Sequence, residues 1–148
     1  MTLIDRLQEL LAGTSLSDKV LPQFCRELRA GISHYNWVGV YLLEENDTML
    51  VLHGWDGPAA TEHVRIPIGQ GICGLAAREA QTVIVDDVRA DPRYLQCFLQ
   101  TRAEIVVPIF SGGRVIGEID IDSDRVAAFN ATDRVFLEWC AGKLALAL

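Results

Sequence analysis

Glu104-Ile105-Val106-Val107-Pro108-Ile109-Phe110-Ser111-Gly112-Gly113-Arg114-Val115-Ile116-Gly117-Glu118-Ile119-Asp120-Ile121-Asp122-Ser123 reads as two β-rich runs, Glu104 to Phe110 and Arg114 to Ser123, on either side of turn residues. Side chains alternate across a strand. Glu118, Asp120 and Asp122 therefore leave one face while Ile119 and Ile121 pack behind on the other. A hairpin that buries one face and carries three acids on the opposite one calls for a sheet with a covering layer.

The rest of the chain supplies more strands and the cover. Tyr35 to Leu43 alternates, with Trp37, Gly39 and Tyr41 on one face and Val38, Val40 and Leu42 on the other. Glu45-Asn46-Asp47 turns it into a hairpin partner, Met49 to Gly54. After Gly57-Pro58 the chain extends again over His63 to Ile68, and Thr82 to Val85 reads as a further buried strand. Helical spacing joins Leu3, Leu7, Leu10 and Leu11, and then Leu21, Phe24, Cys25, Leu28 and Ile32. Gly13 is placed to end the first helix and Ser15 or Ser17 to cap the second, where Pro22 is tolerable near the start. Ile72 to Glu79 reads as a short helix, and Asp91-Pro92-Arg93 as the start of a helical or loop segment through Gln100. Phe136, Cys140 and Leu144 recur at intervals of four in a closing helix that Asn130 and Asp133 cap. Asn130-Ala131-Thr132 is read as that cap rather than as a glycosylation acceptor. The expected class is α+β, an α/β sandwich with a central antiparallel sheet and helices packed on it. Residues 1–148 are expected to form a single domain, and the terminal helices a possible homodimer face.

Half the residues are hydrophobic and 22% are charged, which excludes a disordered chain. The net charge of −7 is spread without a basic block, so no nucleic-acid partner is expected. Charge enters by Asp5, before any signal-like or membrane-spanning run develops, and the expected location is cytoplasmic with no membrane partner. In that reducing compartment Cys25, Cys73, Cys97 and Cys140 serve packing or redox chemistry rather than a static disulfide framework.

Three acids on one strand face repel one another, so a desolvated member is expected to hold a proton near neutral pH while an ionised neighbour binds a cation. Glu104 can join them across the ladder, giving a pocket suited to the ammonium group of an amino acid. Trp37 and Tyr41, separated by Gly39, offer aromatic walls for an apolar or sulfur-bearing side chain. The competing reading is an acidic strand facing solvent. Cys73, two residues after Gly71 at a helix start, is placed where the helix dipole favours a thiolate. Cys97 lies in a polar segment with no apolar stripe requiring a sulfur, and simple filling of space is the alternative for both. Cys25 and Cys140 fall on apolar helix stripes and read as core. His34, His53 and His63 lack ligand spacing and there is no Cys-x-x-Cys pair, so no metal site is expected.

Asn36-Trp37-Val38-Gly39-Val40-Tyr41-Leu42-Leu43, Val64-Arg65-Ile66-Pro67 with Gly69-Gln70-Gly71-Ile72-Cys73-Gly74, Asp87-Val88, Glu104-Ile105-Val106-Val107-Pro108 and Asp120-Ile121-Asp122-Ser123 together resemble the free methionine-(R)-sulfoxide reductase family of GAF domains. The matches run from about Tyr35 to Phe129, and their joint order is more specific than any one of them. The resemblance implies a GAF-like fold. It also implies Cys97 as catalytic cysteine, Cys73 as a resolving or relaying cysteine, and Trp37, Tyr41, Glu104, Asp120 and Asp122 as the substrate pocket. Typical members carry a further cysteine just before the Val-Arg-Ile-Pro stretch, often the disulfide partner of the nucleophile, where this chain has His63. Ala103 likewise stands where a serine is usual.

The implied chemistry is reduction of free methionine-(R)-sulfoxide, a small-molecule substrate. The Cys97 thiolate attacks sulfur and a protonated carboxyl of Asp120, Asp122 or Glu104 serves the departing oxygen. Cys73 or an external thiol then resolves the sulfenic acid, and thioredoxin or a similar dithiol is the reductant, with no other cofactor. The alternatives are a non-enzymatic GAF sensor that binds a small ligand or records redox state, and a dimerising interaction module.

Overall fold

The computed structural model describes residues 1–12, 19–96, 98 and 100–148. Six antiparallel strands form one sheet: β1 (Trp37–Glu44), β2 (Met49–Asp56), β3 (Arg65–Pro67), β4 (Val83–Val85), β5 (Ala103–Ser111) and β6 (Arg114–Ser123), in the spatial order β3-β2-β1-β6-β5-β4. The hairpin that organised the sequence lies at the centre. Ser111 pairs with Arg114, and Gly112 and Gly113 between them both take positive φ, 58° and 78°, the twist a two-residue turn needs and a Cβ opposes. Glu45, Asn46 and Asp47 all adopt positive φ in the expected β1–β2 turn.

The two faces of the sheet are unlike. Val38 and Val40 of β1, Ile119 and Ile121 of β6 and Ile105, Val107 and Ile109 of β5 are all buried against three helices. These are α1 (Leu3–Leu11), α2 (Val20–Gly31) and α4 (Ala131–Ala147). Thr2 and Asp5 cap α1 reciprocally, a cap not expected from sequence, and Asn130 and Asp133 do the same for α4, where the cap was expected. The α4 stripe differs from the expected one. Phe136 is only half-buried, whereas Leu137, Cys140, Ala141 and Leu144 face the sheet, the 3- and 4-residue alternation a helix of 3.6 residues per turn requires. Gly13, Ser15 and Ser17, the expected end and caps around the α1–α2 connection, lie outside the described residues. At the described start of α2, Lys19 makes no side-chain cap bond.

The opposite face is covered by α3 (Gly71–Glu79) and, among the described residues that follow β4, by Val88, Tyr94 and Phe98. There the expected helix start at Asp91 is a turn: the Asp91 carboxylate accepts from the Arg93 backbone and side chain, and a helical turn precedes it, at Val88–Ala90, where the Asp87 side chain accepts from the Arg89 amide. Among the described residues no helix is long and apolar enough to cross a membrane.

Candidate functional site

Register builds the site. On β6, Asp122, Asp120 and Glu118 lie opposite Trp37, Gly39 and Tyr41 of β1, and on the other side opposite Glu104, Val106 and Pro108 of β5. The acids thus form a row along the centre of the sheet, with Glu104 beside Asp122, as cross-strand pairing suggested. All four are at most 4% exposed, which removes the solvent-facing reading. The expectation of one site face was sound, but burial is deeper than partial desolvation, because α3 closes directly over the row and turns Cys73 into it. Donor atoms of Cys73, Glu104 and Asp120 lie within 4.8 Å of one another.

Burial governs the charge state. It pushes the carboxyls of Glu118 and Asp122 well above the usual carboxylate range, and the Asp120 charge adds to both shifts. Asp120 is raised by burial too, while hydrogen bonds from Glu104 and Cys73 pull it back. Thr101 Oγ1 donates to Asp122 Oδ2 at 3.3 Å. Both oxygens of Glu118, Asp120 Oδ1 and Asp122 Oδ1 have no hydrogen-bond partner of good geometry among the described residues. The same surroundings reverse the expectation of a Cys73 thiolate. Its thiol is pushed well up, first by burial and then by the charges of Asp120, Glu118 and Glu104, which together outweigh the dipole of the helix start. Cys25 and Cys140 are buried in the helix-side core, as expected.

The rings take a different arrangement from an open grip across Gly39. The Trp37 indole leans over Gly39 so closely that any Cβ there would overlap it, and the glycine therefore accommodates the ring itself. Trp37 Nε1 donates to the Ala59 carbonyl at 3.2 Å, and its ring stacks on Trp55 and tilts against Phe98 at a centroid distance of 5.8 Å. The Tyr41 hydroxyl donates to the His63 carbonyl at 2.7 Å, so this ring braces the β2–β3 connection. A cavity of about 380 Å³ opens beside these groups, lined in part by Trp37, Phe98, Gln100, Thr101 and Asp122. Phe98 and Thr101 also line a neighbouring cavity together with Tyr94 and Gln96.

Cys97 lies outside the described residues. Its chain neighbours are described: the Gln96 carbonyl lies 2.9 Å from His63 Nε2, and Phe98 is on Trp37. The structure brings Cys73, Glu104, Asp120 and Asp122 into one cluster, with Trp37 at its open end and Tyr41 across from Glu118. Two residues of the site, Phe98 and Thr101, escaped the sequence reading, and Glu118 was placed in the acidic row without an assigned role. Phe98 and Thr101 carried no signal, because an irregular segment has no period to read.

A GAF domain family model matches residues 14–148. A type II free methionine-R-sulfoxide reductase from Thermoplasma acidophilum superposes with a TM-score of 0.83 at 39% identity, covering 94% of this chain and 92% of that one. A free methionine-R-sulfoxide reductase from Neisseria meningitidis, solved in complex with its substrate, gives 0.88 at 36% identity over 97% of this chain and 84% of that one. The Escherichia coli free methionine-R-sulfoxide reductase is 33% identical over 135 residues, 91% of this chain and 79% of its own. With its six-stranded antiparallel sheet, its helices on both faces and these relatives, the chain belongs to the GAF domain family and, within it, to the oxidoreductases called free methionine-R-sulfoxide reductases.

Proposed function

We propose that residues 1–148 act as one catalytic domain that reduces free methionine-(R)-sulfoxide to methionine, with Cys97 as nucleophile. The observation that carries the reading is the row of buried carboxyls, some held protonated by burial, ending at a cavity walled by Trp37 and Phe98. Such a row offers both partners a zwitterionic sulfoxide needs: an ionised carboxylate for the ammonium group and a protonated carboxyl for the sulfoxide oxygen. The methylthio end is apolar and polarizable and suits the rings.

In the proposed step Cys97 Sγ attacks the sulfoxide sulfur while Asp120, Asp122 or Glu104 protonates the oxygen. The sulfur–oxygen bond of the substrate breaks and methionine leaves, reduced by two electrons. Cys97 ends as a sulfenic acid, oxidised by two electrons and carrying the oxygen. A second thiol then displaces that oxygen as water and forms a disulfide, which a thioredoxin-like dithiol reduces. Cys73 and an external thiol are both available for this second step. The buried, protonated state of Cys73 favours the external thiol, because the attacking species is the thiolate. A reducing cytoplasm is the setting this cycle suits, and the packing of α1 beside α4 leaves Ile4 and Val135 exposed for a homodimer.

The test is turnover of free methionine-(R)-sulfoxide with a dithiol reductant. Cys97→Ser is expected to abolish it, and thiol mass spectrometry after one turnover is expected to find the oxidised sulfur on Cys97. Unchanged activity in that variant removes the assignment.

A further inference from the structure

We infer that Cys73, Glu104 and Asp120 form a site for a borderline-soft divalent cation of the zinc class, which occupies the carboxyl row in place of substrate. The inference rests on the proposed function only in naming what the cation displaces. Two observations carry it. The donor atoms of one thiol and two carboxylates, from α3, β5 and β6, lie within 4.8 Å of one another. Zinc–ligand bonds of about 2.0–2.3 Å need tetrahedral donors about 3.3–3.8 Å apart, so small side-chain rotations close the site. Independently, Asp120 Oδ1 and both Glu118 oxygens are fully buried with no hydrogen-bond partner of good geometry among the described residues, polar atoms left under-satisfied beside the Cys73 thiol.

The donor set decides the class of ion. A thiolate with two carboxylates suits zinc, cobalt or cadmium and discriminates against magnesium and calcium, which take oxygen ligands alone. On binding, the Cys73 S–H bond breaks, its proton passes to solvent, and a metal–sulfur bond forms with no change of oxidation state. One thiolate and two carboxylates leave a fourth position open, beside Glu118. The ligands are 31 and 16 residues apart in the chain, so no short spacing announces them. Histidine pairs and Cys-x-x-Cys motifs are the wrong signal for a site assembled across a β-ladder.

The experiment uses cobalt as probe, titrated into the full chain kept reduced, and reads thiolate-to-cobalt charge-transfer absorption in the near ultraviolet, which requires no turnover. One cobalt per chain with that absorption is expected in the unaltered protein and in Cys97→Ser, and its loss in Cys73→Ser. Should Cys73→Ser fold poorly, Glu104→Gln and Asp120→Asn are each expected to weaken cobalt binding at least tenfold with the thiols untouched. Excess methionine-(R)-sulfoxide is expected to suppress the band, and zinc to inhibit turnover in competition with substrate. The inference is overturned if saturating cobalt gives no thiolate band, or if the band disappears in Cys97→Ser and persists in Cys73→Ser. A band that forms normally in a chain without reductase activity would instead count against the proposed function alone.

Discussion

Ile119 and Asp120 are neighbours on one strand, yet they belong to two different environments. Val38, Val40, Ile105, Val107, Ile119 and Ile121 pack under α1, α2 and α4, while one residue further along each strand Trp37, Glu104, Glu118, Asp120 and Asp122 enter a layer of rings and carboxyls under α3. Both layers exclude water. On the helix side that exclusion stabilises the fold, since apolar area is removed from solvent. On the α3 side the same exclusion desolvates acids, which costs stability and produces the mixed protonation states that acid–base chemistry needs. A β-strand's period of two lets one segment serve both ends without compromise at either.

The division is tested most severely at Asp120. Asp120→Asn keeps the shape and removes the acid, and a fall of about 10²–10⁴ in kcat/KM is expected, the range for loss of a general acid or base. The melting temperature is expected to stay level or rise, because a costly buried carboxyl is gone. Activity kept at this site would break the functional half of the comparison. Next comes the opposite face: Ile119→Ala and Ile121→Ala are each expected to destabilise by about 2–5 kcal/mol in urea unfolding, with turnover per folded molecule retained. If turnover collapses while stability holds, the two layers are coupled through the sheet.

Glu118 belongs to the acidic layer by position but has no role in the proposed step, and it sharpens the comparison through pH. Its carboxyl stays protonated in the fold well above 4.5, the value at which the unfolded chain ionises it. The unfolded state therefore releases a proton that the folded state retains, and stability falls as pH rises from about 4.5 towards neutrality. Glu118→Gln cannot ionise. It is expected to flatten that slope by at most about 1.4 kcal/mol per pH unit and to raise stability at neutral pH by about 1–3 kcal/mol. Urea midpoints measured at several pH values check both, and identical slopes would mean that Glu118 is ionised in the fold.

Much of this was readable from residues with strict periods or special backbone needs. The alternation Glu118-Ile119-Asp120-Ile121-Asp122 fixes which side chains share a face, Gly112-Gly113 fixes the turn, and Asn130 with Asp133 fixes the start of α4. What was not readable depends on neighbours distant in sequence. The charge state of Cys73 is decided first by its burial and then by acids 31 to 47 residues away, against the local preference of a helix start. The Trp37 ring direction is decided by the empty position of Gly39 and by Ala59, and the turn at Asp91 by its own carboxylate competing for backbone and arginine donors.

The finest distinction concerns Thr101, whose hydroxyl is the neutral donor to Asp122 at the boundary between the acid row and the cavity. Thr101→Val conserves volume and removes the donor. A bond of this kind contributes about 0.5–1.5 kcal/mol, and Glu104 continues to favour the ionised form of Asp122, so kcat/KM is expected to fall only about two- to tenfold. The sign of the pH effect is more telling than its size. The hydroxyl bonds the ionised carboxylate, so its loss pushes Asp122 still further up. If ionised Asp122 holds the substrate ammonium, the acidic limb of the kcat/KM profile moves to higher pH. If protonated Asp122 delivers the proton, the basic limb moves to higher pH instead. A pH–rate profile of this one variant thus assigns the role of Asp122, and a profile unchanged on both limbs would place the working carboxyls at Asp120 and Glu104.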